Sequence, residues 1–192
     1  MSVSVDICNS ALIKLGAERI NSLTDDNKRS RLCQEQYPKI LERVLRSHPW
    51  KFAIKRKNLA QVVHEPEFTS GFWFEQPLDC LRVVGVMNAS NLSETTRYTY
   101  KIEGRRINSE LDAFPIKYIS SDTPEAHYDA DFKEAMANAL AHDLCYALVQ
   151  SNEMKSVLFQ EYEFWIGQAR SHGSMEDTIE NLVFDTWTGD RI

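Results

Sequence analysis

His142 and Cys145 stand three residues apart in "HDLC", a spacing that puts an imidazole and a thiol on one face of a helix. Such a pair serves either as two metal ligands or as a base beside a nucleophile. Both roles need more. A metal asks for a second ligand cluster, and a nucleophile asks for an orienting partner and an oxyanion pocket. The other histidines, at 48, 64, 127 and 172, and the other cysteines, at 8, 33 and 80, supply no such companion in sequence. No two cysteines form a CxxC pair, so the thiols read as buried and free. Glu161 and Glu163 fall on different faces of one helix and do not make a paired acid and base. A hydrolase acting on polysaccharide would need two carboxylates facing one cleft at roughly 5 to 10 Å. No such pair is legible, and GxGxxG, P-loop, HExxH and GxSxG patterns are absent. No cofactor, metal or catalytic residue is expected.

Two other groups of residues carry potential for binding. "KFAIKRK" interleaves aromatic and basic side chains, and Lys55, Arg56 and Lys57 form a candidate patch for phosphate or for a partner surface. The plainer reading is an edge strand kept soluble by Lys and Arg. The second group is aromatic. Phe72, Trp73 and Phe74 fall in a loop-like stretch. The closing "IENLVFDTWTGDRI" holds Phe184, Trp187 and Arg191 with no helix or strand pattern. Exposed aromatics usually meet a partner. Trp73, Phe184, Trp187 and Arg191 are therefore candidate interface residues, the alternative being that they fold back on their own domain.

The bulk properties set the frame for these residues. The chain has 192 residues, 43% hydrophobic, with only 7 Gly and 6 Pro, which suits one domain with a real core. No apolar run approaches the roughly 18 residues of a spanning helix. "MSVSVDICNS" lacks the basic and apolar regions of a secretory signal, so synthesis and folding in a cytoplasm are expected. Net charge is -6 and unevenly spread. Residues 1–57 hold 12 Lys and Arg against 6 Asp and Glu, whereas residues 121–192 hold 4 against 14. A molecule with a positive and a negative pole can stack head-to-tail with copies of itself. The basic third could instead meet nucleic acid, although no compact turn-and-recognition-helix pairing surrounds it.

Periodicity gives the elements. Val5, Cys8, Leu12 and Leu15 mark a first helix, with Ser2 or Ser4 to cap it and Gly16 to stop it. A second helix over about 28–48 presents Cys33, Tyr37, Ile40, Val44 and Leu45 on one side. Pro38 predicts a kink or a break within it, and His48-Pro49 its end. Trp50, Phe52 and Ile54 then alternate with Lys51 and Lys55 as a strand would. "LRVVGVMNA", "RYTYKI", "RRIN" and "FPIKYIS" read as further strands, with a tight turn at Glu103-Gly104. Asp129 caps a third helix, and a short turn at Ser151-Asn152 leads to an antiparallel fourth that stops near Gly173. The expected class is α+β. Residues 1–49 and 121–175 make a helical bundle, 50–120 one small antiparallel sheet region, and 176–192 an extended C-terminal tail.

The order of these landmarks resembles a known family. "ICNSALIKLG" is followed by "RLCQEQYPKILERVLRSHPWKFAIKRKNLA", then "QPLDCLRVVGV", "YKIEGRRI", "IKYIS" and "DADFKEAMANALAHDLCYAL". A last helix ends in "QAR", and a short tail follows with Trp and Arg. This collinear series, above all "HPWKFA", "PLDCLRV" and "YKIEGRRI", resembles the tail tubular protein A family of tailed bacteriophages over nearly the whole chain. The resemblance implies a non-enzymatic virion component, a head-to-tail adaptor. Family members form a dodecameric ring beneath the portal protein that carries the nozzle or next tail protein, with DNA passing through the central channel. It implies no catalytic residue, no cofactor and no membrane, and a place in the phage tail or neck after synthesis in the host cytoplasm. Pro38 within the second helix is the departure from the pattern. The competing function is a DNA-binding regulatory or packaging protein that uses the basic N-terminal third.

Overall fold

The computed structural model describes residues 2–62, 70–87, 94–95 and 99–176. The fold is α+β. Helix α1 spans Val3–Lys14 and α2 Lys28–Ser47. A 3₁₀ turn, Lys51–Ala53, leads into β1, Ile54–Leu59. Strands β2 (Phe72–Glu75), β3 (Cys80–Met87), β4 (Glu94–Thr95), β5 (Tyr100–Glu103), β6 (Arg106–Ser109) and β7 (Phe114–Ser120) follow. Helices α3, Ala130–Leu148, and α4, Asn152–Glu176, end the described chain.

The helices form where apolar spacing and caps agree. The Asn27 side chain accepts from the Ser30 amide at 2.8 Å and starts α2, and Asp129 accepts from the Phe132 amide at 2.7 Å to start α3. Ser2 is the N-cap residue of α1, but its hydroxyl bonds Ser4 and Glu125 rather than capping the helix backbone. Gly16 follows α1 at φ +67°, the left-handed conformation that ends a helix cheaply. Helix α3 packs against α1, α2 and α4. It is buried almost all round, and its alanines 135, 137, 139 and 141 let the neighbours approach closely.

Four expectations need correction. Of the kink or break expected at Pro38, the break does not occur, since α2 is one continuous helix. Pro38 is exposed and so is Gln34 four residues earlier, so water can serve the carbonyl that loses its donor. Trp50 and Phe52 do not begin a strand. They sit in and beside the 3₁₀ turn, with the Trp50 indole donating to the Val44 carbonyl at 2.9 Å. The "GFWF" stretch is a strand, β2, not a loop. Helix α4 continues beyond Gly173 to Glu176, because glycine is tolerated inside a helix at modest cost.

The β region is two antiparallel sheets rather than one. The first has the order β1-β7-β3-β4 and the second β2-β6-β5. A cluster of Leu59, Phe74, Val86, Ile107, Phe114, Ile116 and Tyr118 draws side chains from both, with the Phe74 and Phe114 rings stacked at 5.2 Å. Alternation along β7 explains the layering. Phe114, Ile116 and Tyr118 enter this β core, while Ile119 joins the helical core on the other side. Gly71 is required at the entry to β2. Its φ is +84°, and a Cβ there would lie 2.7 Å from the Ser109 carbonyl oxygen. The β5–β6 hairpin turns at Gly104 and Arg105, with Gly104 at φ +60° and Glu103 paired to Arg106.

Candidate functional site

The basic strand resolves into two parts. β1 is an edge of its sheet, and Arg56 and Lys57 are exposed on it, as an edge strand protected by charge requires. Lys55 is not available to phosphate in the same way. Its ammonium holds Asp79 at 3.2 Å and Asp122 at 3.0 Å. Asp79 is the hub of this cluster, accepting from the Ser120 hydroxyl at 2.6 Å and from the Tyr118 hydroxyl at 3.3 Å. Partial burial opposes its charge, but the Ser120 hydroxyl and Lys55 more than compensate, holding its carboxyl below the ordinary carboxylate value. The lysine is held correspondingly above its own ordinary value, chiefly by Asp122.

This cluster ties the start of β3 to the end of β7, and its role is structural. Ser120 is fully buried, and without Asp79 its hydroxyl keeps only the longer bond to the Asp122 carbonyl at 3.3 Å. Asp79→Ala is expected to cost about 1–3 kcal/mol in urea denaturation, and Asp79→Asn less than half of that. The carboxylate's contribution is present above its unfolded pKa and is lost as pH falls through the lower folded value. The Asp79→Asn difference should therefore shrink in acid.

Trp73 does not serve as an exposed anchor. It is 1% exposed on β2, on the strand face opposite the buried Phe74. Phe184, Trp187 and Arg191, with the tail they belong to, lie outside the described residues, as does His64. The His142–Cys145 pairing dissolves into separate bonds. The His142 ring lies 2.9 Å from Asp143, while the buried Cys145 thiol donates to the Ser151 carbonyl at 3.3 Å. No group of three His, Cys, Asp or Glu suited to a metal occurs among the described residues. Cys8 and Cys33 are buried together, and their hydrogen bond, with burial, pushes the Cys8 thiol far above its ordinary range. A buried thiol held so high, as Cys8 is, is inert.

His48, at the end of α2, has a more telling environment. Burial lowers its basicity, and Arg170 and Arg82 lower it further. Its Nδ1 is buried with no hydrogen-bond partner among the described residues, and its ring meets Trp50 edge-on at 4.7 Å. The unfolded chain takes up a proton near the ordinary value of 6.5, and the folded chain resists it until lower pH. Stability should therefore fall as pH drops from 7 through 6. Thermal melts of wild type and His48→Gln between pH 7.5 and 5 check this: the variant's slope should be flatter.

Sequence reasoning missed the Asp79 hub and the outer surface of α4. The hub joins residues 24 to 67 positions apart, and no local pattern announces such a cluster. The α4 surface had a signal, apolar Val157 and Phe164 seven residues apart, opposite the stripe taken as the core face. No helix among the described residues is long and apolar enough to cross a membrane. Set beside protein-family models and curated proteins, the chain matches none.

Proposed function

We propose that this chain is a virion structural protein, a head-to-tail adaptor of the tail tubular protein A kind. It would form a ring, dodecameric as in that family, between the portal and the tail nozzle and contribute to the DNA ejection conduit. The observation that carries the reading is the collinear series of stretches running through nearly the whole sequence. Its three strongest members fall at structural joints. "HPWKFA" covers the end of α2 and the 3₁₀ turn, "PLDCLRV" carries Asp79 into β3, and "YKIEGRRI" is the β5–β6 hairpin. The charge asymmetry supports the same reading, since a cyclic ring needs unlike, complementary faces. A net acidic protein also suits a conduit that DNA must cross without sticking, because like charge repels phosphate.

Negative-stain microscopy of the protein alone and with its portal tests the proposal. Twelve-fold rings on the portal are the expected result, and a protein that never joins portal sinks it. The runner-up, a DNA-binding regulatory or packaging protein, draws on the exposed Arg56 and Lys57 and the basic N-terminal third. A gel shift with salt titration separates the two, because a regulator binds duplex with a steep salt slope and an adaptor does not.

A further inference from the structure

The outer face of α4 carries an apolar spine that the described residues do not cover. The helix buries Leu158, Ile166 and Ala169. At about 100° per residue, Val157, Phe164 and Gly167 fall on the opposite side. Val157 is 48% and Phe164 57% exposed. Glu161 and Glu163, both exposed, flank the spine on either side, Glu161 with Lys14 of its own chain at 3.8 Å. Gly167 is the second observation. Glycine costs stability within a helix, its φ is not positive, and a Cβ there would meet nothing within 4 Å. Nothing among its described neighbours calls for glycine. On an exposed face it instead lets another backbone approach closely beside Phe164.

The complementary surface lies on α2. Lys39, Arg43 and Arg46, at i, i+4 and i+7, form an exposed stripe opposite the buried Cys33, Tyr37 and Val44. Glu42 lies beside it, and Arg43 holds Asp143 at 3.0 Å. Lys39 and Arg46 make no ion pair among the described residues. We propose that the outer face of α4 docks on the α2 stripe of a second copy of this chain, with Phe164 as anchor and Glu161 and Glu163 facing Lys39 and Arg46. The two faces differ, so the contact is heterologous and propagates from copy to copy until a ring closes. Closure into a ring rests on the adaptor reading; the pairwise contact does not.

Sedimentation velocity of the full chain over a concentration series tests it. Wild type should self-associate, more weakly at high salt. Phe164→Asp should weaken association by roughly tenfold or more, as loss of an anchor does. Gly167→Leu should do the same without lowering the unfolding midpoint. The decisive arm uses two charge-reversed chains, Glu161→Lys with Glu163→Lys and Lys39→Glu with Arg46→Glu. Each alone should be monomeric, and a one-to-one mixture should associate again. A mixture that stays monomeric, or a Phe164→Asp chain that associates like wild type, overturns the contact. Tighter association by a chain lacking residues 177–192 also overturns it, because the spine would then be covered by its own tail. A wild type monomeric at every concentration overturns the pairwise contact too, while rings seen on the portal would still uphold the adaptor reading.

Discussion

Phe132→Ala is expected to destabilise the protein by about 3–5 kcal/mol, the range for truncating a buried aromatic ring. Phe132 is fully buried, and its ring lies 5.0 Å from Trp50, 5.0 Å from Phe52 and 4.6 Å from Tyr128. These rings come from the start of α3, from the 3₁₀ turn and its approach, and from the segment before α3. One side chain thus holds the passage from helices to strands and the passage back. Its loss opens a cavity that the rigid surroundings cannot close, and the edge-on ring contacts, worth about 0.5–1.5 kcal/mol each beyond burial, go with it. A domain of total stability about 5–15 kcal/mol then loses a large share. Urea denaturation measures the effect. Trp50→Phe is the informative partner, since it keeps a ring but removes the indole donor to the Val44 carbonyl. It should cost less than Phe132→Ala. A loss below about 1 kcal/mol for Phe132→Ala would show that the ring cluster is not the joint.

Removing residues 181–192 is expected to abolish assembly and leave the monomer folded. The deleted stretch contains Leu182, Val183, Phe184, Trp187 and Arg191, which are anchor types at subunit contacts. Among the described residues both apolar cores are built from segments before it, so the unfolding midpoint should stay within error of wild type. Ring formation and portal joining should fall below detection in microscopy and sedimentation. Single changes sort the contributions. Trp187→Ala should weaken assembly most, since truncating a buried Trp anchor costs on the order of 2–4 kcal/mol of binding. Arg191→Ala should act mainly through salt dependence. A truncated chain that still forms rings and joins portal would refute the role given to the tail.

The helices were legible because their signals are local. A period of 3.6 on Val5, Cys8 and Leu12, or on Phe132, Met136 and Leu140, lies within one window, and Asp129 and Gly16 mark ends within a few residues. The β region was legible as a class but not as a partition. Short strands such as β2 and β6 carry only four residues each, too few for alternation to say which sheet they join. Trp50 and Phe52 show how alternation misleads. Two aromatics at i and i+2 look like one face of a strand, yet their place is set by a ring cluster whose other members, Tyr128 and Phe132, lie far along the chain. Trp73 misled in the opposite way, since an aromatic beside glycine and proline looks exposed until a sheet covers it.

The sequence by itself determined the α+β class, the end of α1, the start of α3 and the uneven charge, because each follows from composition or from contacts only a few residues apart. Tertiary structure alone decided the split into two sheets, the burial of Trp73, the capture of Lys55 by Asp79 and Asp122, and the exposure of Val157 and Phe164. All four depend on pairings between distant residues. Such contacts form only once folding has brought the segments together and met the entropy of closing the loops between them, so they leave no mark within a short window of sequence.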